Sequence, residues 1–343
     1  MRIKNSLYQC PKCLSDNLTI SDTRINCLKC NNVYPVTDGI PDFRLDSEFD
    51  TFLDISEYDE LKQQTNENKL NTYKTVWEKI MTDSLDFNSN IKRSLMEIGC
   101  GSGNLTYGLV HGELFETIYS GDISRSFIDI TLKRQPESKT KVKMVQYDAN
   151  YLPFVPEAFD CIVGSSVLHH FINYDKTIVQ CFNLLKKNGL AIFGEPVLDG
   201  VVFLSLYAGL IIEIHSHEKE EKISKSELKK LKIIYELIER KSKSMQDLDK
   251  LKLQEDKWMY RIADMQKLSD KIGFKKMEFK KVGDFNPKFQ SIELIVNNFF
   301  IKQGISTETL NKYSYLLELF NRTFGSLNHQ SFSSQFGFFV FIK

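Results

Sequence analysis

The 343-residue chain has no net charge, because 45 lysines and arginines balance 45 aspartates and glutamates. That balance removes the broad positive footprint of a protein built to grip a nucleic-acid polyanion, leaving only local basic patches for such contact. An apolar start is missing too: the opening MRIKNSLYQC holds no hydrophobic stretch of the kind that directs secretion. Long apolar runs are absent. The most apolar stretch, VVFLSLYAGLII at 201–212, is too short to span a bilayer and is flanked by Asp199 and Glu213. These absences predict a soluble, cytoplasmic protein. What is there is enough for a sizeable core, since 42% of residues are hydrophobic, and enough for two domains or one domain with insertions.

The seven cysteines are unevenly placed. Cys100, Cys161 and Cys181 lie in apolar contexts and read as buried free thiols, which suits a reducing compartment. The other four form two CxxC pairs, Cys10 with Cys13 and Cys27 with Cys30, with 13 residues between the pairs. Each pair makes a tight turn that aims two thiolates at one ion, and two such turns give a closed, structural S4 site suited to zinc. Two disulfides or four unrelated thiols are the competing readings. The intervening LTISDTRIN reads as a short hairpin. A module over residues 1–43 is too small to bury a core alone, so a metal would supply stability. With the following VYPVTDGIPDF (33–43), it resembles the zinc-ribbon proteins that activate tRNA and protein methyltransferases. Residues 44–90 then read as a helical linker, with apolar spacing at Leu61, Leu70, Tyr73, Val76, Trp77 and Ile80.

The segment LMEIGCGSGNLT (95–106) is a buried-strand pattern that breaks into Gly99, Gly101 and Gly103 before a helix pattern. A strand, a glycine turn and a helix N-terminus form a ligand cradle in many α/β folds. The lysine and hydroxyl residue of a phosphate-binding P-loop are absent here. A second strand pattern, TIYSGDIS, ends at Asp122, at the distance past the loop where a carboxylate takes both hydroxyls of a ribose. Further strand patterns follow: one ends at Asp148, one runs FDCIVGSS, and one follows the glycine turn in LLKKNGLAIFGEP. Alternating strands and helices imply a doubly wound parallel sheet.

EIGCGSG, GDIS, YDANYLPF with FDCIVGSSVLHHF, and LLKKNGLAIFGEP resemble, in order, the motifs of class I S-adenosylmethionine-dependent methyltransferases. The resemblance implies a Rossmann-like, seven-stranded methyltransferase sheet over 91–343, with helical insertions at about 200–262 and 287–326. It implies that Glu97, Gly99, Cys100, Gly101 and Gly103 line the methionyl moiety of the cofactor. By the same resemblance Asp122 holds the ribose, Ile123 packs on the adenine, and Asp148 with Ala149 beside it accepts from the adenine amino group. Ser165 faces the cofactor from the fourth strand. His169 and His170 lie just past that strand, where one of them could act as a general base, or could simply pack; Glu195 is a further candidate for orienting substrate. The expected activity is methyl transfer to O, N or C of a small or medium metabolite with an apolar portion, with the insertions forming a lid. The second reading is an RNA methyltransferase, using Lys4, Lys12, Arg24 and Lys29 of the ribbon.

Overall fold

The apolar runs around the glycine loop become the centre of one sheet. A computed structural model describes residues 7–45, 67–84, 93–218, 223–238, 247–252, 254–285, 291–326 and 335–343. Much of the expected helical linker, 46–66 and 85–90, lies outside them; the helix described within it is α1, Glu67–Ser84. Parts of both expected insertions, 219–222, 239–246, 253 and 287–290, also lie outside.

Strand β5 (Ser94–Ile98) leads through the glycine loop into α2 (Asn104–Gly112), then β6 (Thr117–Asp122), α3 (Arg125–Lys133) and β7 (Lys141–Gln146). The chain returns to the other side of β5 with β8 (Phe159–Ser165), α4 (Tyr174–Leu184) and β9 (Leu185–Pro196). β5, β6, β7, β8 and β9 are paired in parallel. Leu95, Met96, Ile98, Ile162, Val163 and Ile192 are almost wholly buried, the near-continuous apolar pattern of strands covered on both faces. Strand β9 begins earlier than expected. It starts at Leu185 and carries Asn188 in the left-handed region (φ 61°), so the expected glycine turn is a kink within the strand.

Two strands from further along complete the sheet, β10 (Lys276–Lys281) and β11 (Phe336–Ile342). The order is β10-β11-β9-β8-β5-β6-β7. β11 runs antiparallel to β9: Lys343 N–H donates to Gly189 at one end, and Val197 N–H donates to Gln335 at the other. The sheet is the seven-stranded, mostly parallel sheet that the motifs imply.

The cysteine-rich module forms its own antiparallel sheet: β1 (Leu18–Ile20), β2 (Arg24–Cys27), β3 (Val33–Thr37) and β4 (Ile40–Pro41). It shares a core with the larger sheet. The Tyr8 ring lies 5.2 Å from Phe43 and 5.6 Å from Phe154, and Phe154 packs edge-on to Tyr119 and Phe159. Backbone bonds join the two as well, from Gln9 N–H to Pro153 and from Phe43 N–H to Gln146. The module therefore covers the outer edge of β7.

By packing, the chain divides into two units: Met1–Gly194 with Gln266–Glu278 and Phe339–Lys343, and Glu195–Met265 with Phe279–Phe338. The second unit gathers both expected helical stretches. Its helices include α5 (Leu198–Ser216), α6 (Lys225–Tyr235), α7 (Leu248–Lys252), α9 (Ile292–Lys302), α10 (Thr307–Lys312) and α11 (Ser314–Ser326), while α8 (Ile262–Ile272) crosses the boundary. Phe203, Tyr207, Leu231, Phe300, Tyr313 and Leu317 anchor a core of its own. The apolar stretch 201–212 extends into the 19-residue α5, because Asp199 fits the first turn and accepts from Ile262 N–H. This helix is long and apolar enough to cross a membrane, with mean hydropathy 1.6, and half of its apolar window is buried within the chain.

Candidate functional site

The chain order reverses between β5 and β8, and open α/β sheets bind ligands outside the carboxyl ends of the strands at such a point. A cavity of about 320 Å³ opens there. Its walls include Gly99, Cys100, Gly101, Asp122, Ile123, Asp148, Ala149, Ser165 and His170, nine of the sequence-designated residues.

The glycines of the loop do different work. Gly99 has φ 71°, and a Cβ there would lie 2.4 Å from Val167, so the position needs glycine for both backbone and space. Gly101 has φ 49°, and a Cβ there would meet nothing within 4 Å. Open space at Gly101 is where a ligand can approach the backbone. Gly103 (φ 81°) caps α2 and does not line the cavity.

The loop is held from behind. Gly99 and Cys100 N–H donate to the Gly121 carbonyl. Gly101 N–H donates to Asp122 Oδ2 at 2.9 Å, and Ser124 N–H donates to Oδ1 at 3.0 Å. From α3, Thr131 donates to the Gly101 carbonyl at 3.0 Å and Arg134 to the Ser102 carbonyl at 2.7 Å. Burial raises the Asp122 carboxyl above its ordinary value, with the backbone N–H bonds opposing. Asp148 Oδ1 accepts from the Asn150 backbone at 2.8 Å and from its side-chain amide at 3.0 Å.

Glu97 is placed elsewhere than the resemblance implies. It is wholly buried and is not a wall of the cavity. Thr106 and Ser120 each donate to its Oε2 at 2.6 Å, and Oε1 has no hydrogen-bond partner. Burial pushes this carboxyl up to about 7 from its ordinary 4.5, against the two hydroxyl bonds. The folded state therefore keeps a proton that the unfolded chain releases above pH 4.5. Stability from this group is fully present below that pH and is lost as pH rises towards 7. A shift of this size is worth roughly 3 kcal/mol. Urea unfolding should show native stability falling by that order across the window relative to Glu97→Gln, and equal slopes for the two proteins would refute the assignment.

Of the two histidines, His170 lines the cavity, while His169 is buried beside it with ring centroids 4.2 Å apart. Glu195 is buried in the second unit and is not among the cavity walls. Several wall residues carry no motif: Tyr73 from α1, Phe127 from α3, Tyr147, and Val167 with Phe171 after β8. Tyr73 and Ser165 share a hydrogen bond between their side chains. The aromatic spacing of α1 was visible in the sequence, but nothing there tied Tyr73 to the site.

Two carboxylates, Asp122 and Asp148, line the cavity, and among the described residues no lysine or arginine does. That donor set suits a cationic ligand without phosphate. It fits S-adenosylmethionine.

In the cysteine module, the sulfurs of Cys10, Cys13, Cys27 and Cys30 all lie within 4.8 Å of one another. Cys10 and Cys30 are 3.6 Å apart and Cys13 and Cys27 are 3.5 Å apart. Four sulfurs at about 2.3 Å from a tetrahedral zinc are separated by about 3.8 Å. The four are free thiols, and the set fits that ion.

Comparison with known proteins gives a family match over residues 96–193, to a methyltransferase domain. The ubiquinone/menaquinone biosynthesis C-methyltransferase UbiE of Vibrio cholerae is 30% identical over 112 residues, 31% of this chain and 43% of that protein. Polyketide synthase ThaQ of Burkholderia thailandensis is 28% identical over 132 residues, 36% of this chain and 6% of that protein. The chain thus spans less than half the length of these curated relatives. A solved S-adenosylmethionine-dependent methyltransferase from Archaeoglobus fulgidus is 12% identical, with a TM-score of 0.43, covering 85% of this chain and 100% of that one. The segment that the methyltransferase-domain model matches, residues 96–193, is the one that builds the glycine loop, Asp122, Asp148 and Ser165.

Proposed function

We propose that the chain transfers a methyl group from S-adenosylmethionine to a small or medium metabolite with an apolar portion. The observation that carries this reading is the cavity at the switch point, open at Gly101 and lined by two carboxylates and, among the described residues, by no lysine or arginine. Asp122 accepts from the ribose hydroxyls, Ile123 packs on the adenine, and Asp148 accepts from the adenine amino group. Ser165, Tyr73 and His170 stand at the transfer end, where the acceptor enters. The sulfonium supplies the reactivity, so the protein's work is to align acceptor and methyl group and to exclude water. His170 is the wall residue able to take a proton from an acceptor. The name of UbiE, which speaks of carbon methylation in quinone biosynthesis, favours an acceptor with apolar surface. The four thiols of the N-terminal module hold one structural zinc ion.

Calorimetry with S-adenosylhomocysteine and with NADH separates the cofactor classes. The first should bind and the second should not. Incubation with methyl-labelled cofactor then tests the acceptor: label should enter the small-molecule fraction of a cell extract. Label confined to purified RNA would overturn the acceptor class.

A further inference from the structure

The cysteine module meets the outer wall of the cofactor cavity at three places. Ile40 packs with Cys100 of the glycine loop, Ile128 of α3 and Met144 of β7, all at most 5% exposed. Arg125, three residues past Asp122, pairs with Asp38 at 2.9 Å and donates to the Thr37 carbonyl at 3.3 Å. The Gln146 carbonyl accepts from Phe43 N–H at 2.8 Å, while the Gln146 side chain donates to the Ile123 carbonyl at 2.9 Å. The loop at Cys100, the turn at Ile123–Arg125 and the strand end that leads to Asp148 are thus each backed from the module.

We propose that the module is part of the cofactor-binding apparatus. Asp38, Ile40 and Phe43 are positioning residues that hold the adenosine end of the cavity in its binding shape. A loop with three glycines at positive φ is entropically expensive to order. The cavity side cannot brace it, because that space must admit the ligand. Bracing has to come from behind, and the module supplies it together with Thr131 and Arg134. If the brace is lost, ordering the loop is charged to ligand binding, and affinity falls.

This inference rests on the S-adenosylmethionine reading, and its test separates the two. Calorimetry uses the full chain with S-adenosylhomocysteine and with 5′-methylthioadenosine, which carries the adenosine half alone. Ile40→Ala should weaken both ligands in parallel, by about tenfold. Ile40→Val, which keeps most of the packed volume, should restore most of the loss. Asp38→Asn keeps a residue tolerant of the φ of 54° at that turn and should weaken binding by about threefold, since the Asp38–Arg125 pair is largely exposed. Removing the proposed zinc with a chelator alone, which leaves the cavity thiol Cys100 unmodified, should weaken binding by at least as much as Ile40→Ala. Native-like affinity in both Ile40→Ala and Asp38→Asn, with the native protein binding normally, would show the module to be a passenger. Failure of the native protein to bind either ligand would instead sink the cofactor reading, and this inference with it.

Discussion

Asp122→Ala should lower affinity for S-adenosylhomocysteine by two orders of magnitude or more. Both carboxylate oxygens of Asp122 already accept backbone N–H groups, one from Gly101 in the loop and one from Ser124 at the start of α3. The alanine variant loses these as well as the proposed ribose contacts, and it leaves two partly buried donors without their acceptor. Hydrogen bonds to a charged group contribute about 1.5–3 kcal/mol each, and roughly 3 kcal/mol is already about a hundredfold in binding. Folding should suffer less than binding, because a partly desolvated carboxylate is costly to keep charged, and desolvation raises this one above its ordinary value. Calorimetry beside a thermal melt separates the two effects. Native affinity in the variant would remove Asp122 from the site.

The second large effect concerns the metal. Native protein purified without added zinc should carry about one equivalent per chain, and Cys27→Ser should lose it. Burial opposes ionisation of the Cys27 thiol, but backbone N–H groups of Cys30 and Lys29 outweigh it and bring the group down to about 7. Structural zinc in small modules is worth on the order of 10 kcal/mol or more. The loss should not stay within residues 1–43. Tyr8 and Phe43 share a core with Phe154 and Tyr119, so the thermal midpoint of the first unit should fall as well. Metal analysis and a melt followed by near-ultraviolet circular dichroism check this. A metal-free variant with an unchanged melt would show that the thiols hold nothing the fold depends on.

The cofactor strands and their loops were legible because their chemistry is local. Each signal is confined to a few consecutive residues: a strand end with a glycine turn at 97–103, and a strand end with a carboxylate at 122 and again at 148. Tyr73 was not legible, because it reaches the cavity from a helix distant in sequence from the motifs, and Phe127 and Val167, though close to Asp122 and Ser165, carry no chemistry that marks them. Glu97 shows the opposite failure. Its place in the motif suggested the cavity, but its side chain reaches Thr106 of α2 and Ser120 of β6 instead. The hairpin of the cysteine module was readable from spacing, with Leu18 opposite Cys27. Its docking was not, because the contact pairs Tyr8 with Phe154, far along the chain.

The place of β11 has a consequence for how the molecule is made. Strand β11, which follows the other described strands of the sheet in sequence, lies inside it, between β9 and β10. While a ribosome is still producing residues before 336, β9 has no neighbour on that side and shows an open row of backbone donors and acceptors. The strand that fills the gap, FGFFVFI, is almost wholly apolar, and Phe338, Phe339, Val340 and Phe341 are buried once it is in place. A nascent chain must therefore keep both the gap and its filler from pairing with other chains until they meet. Between the making of β9 and of β11, a holding chaperone should therefore matter most to the yield of soluble protein.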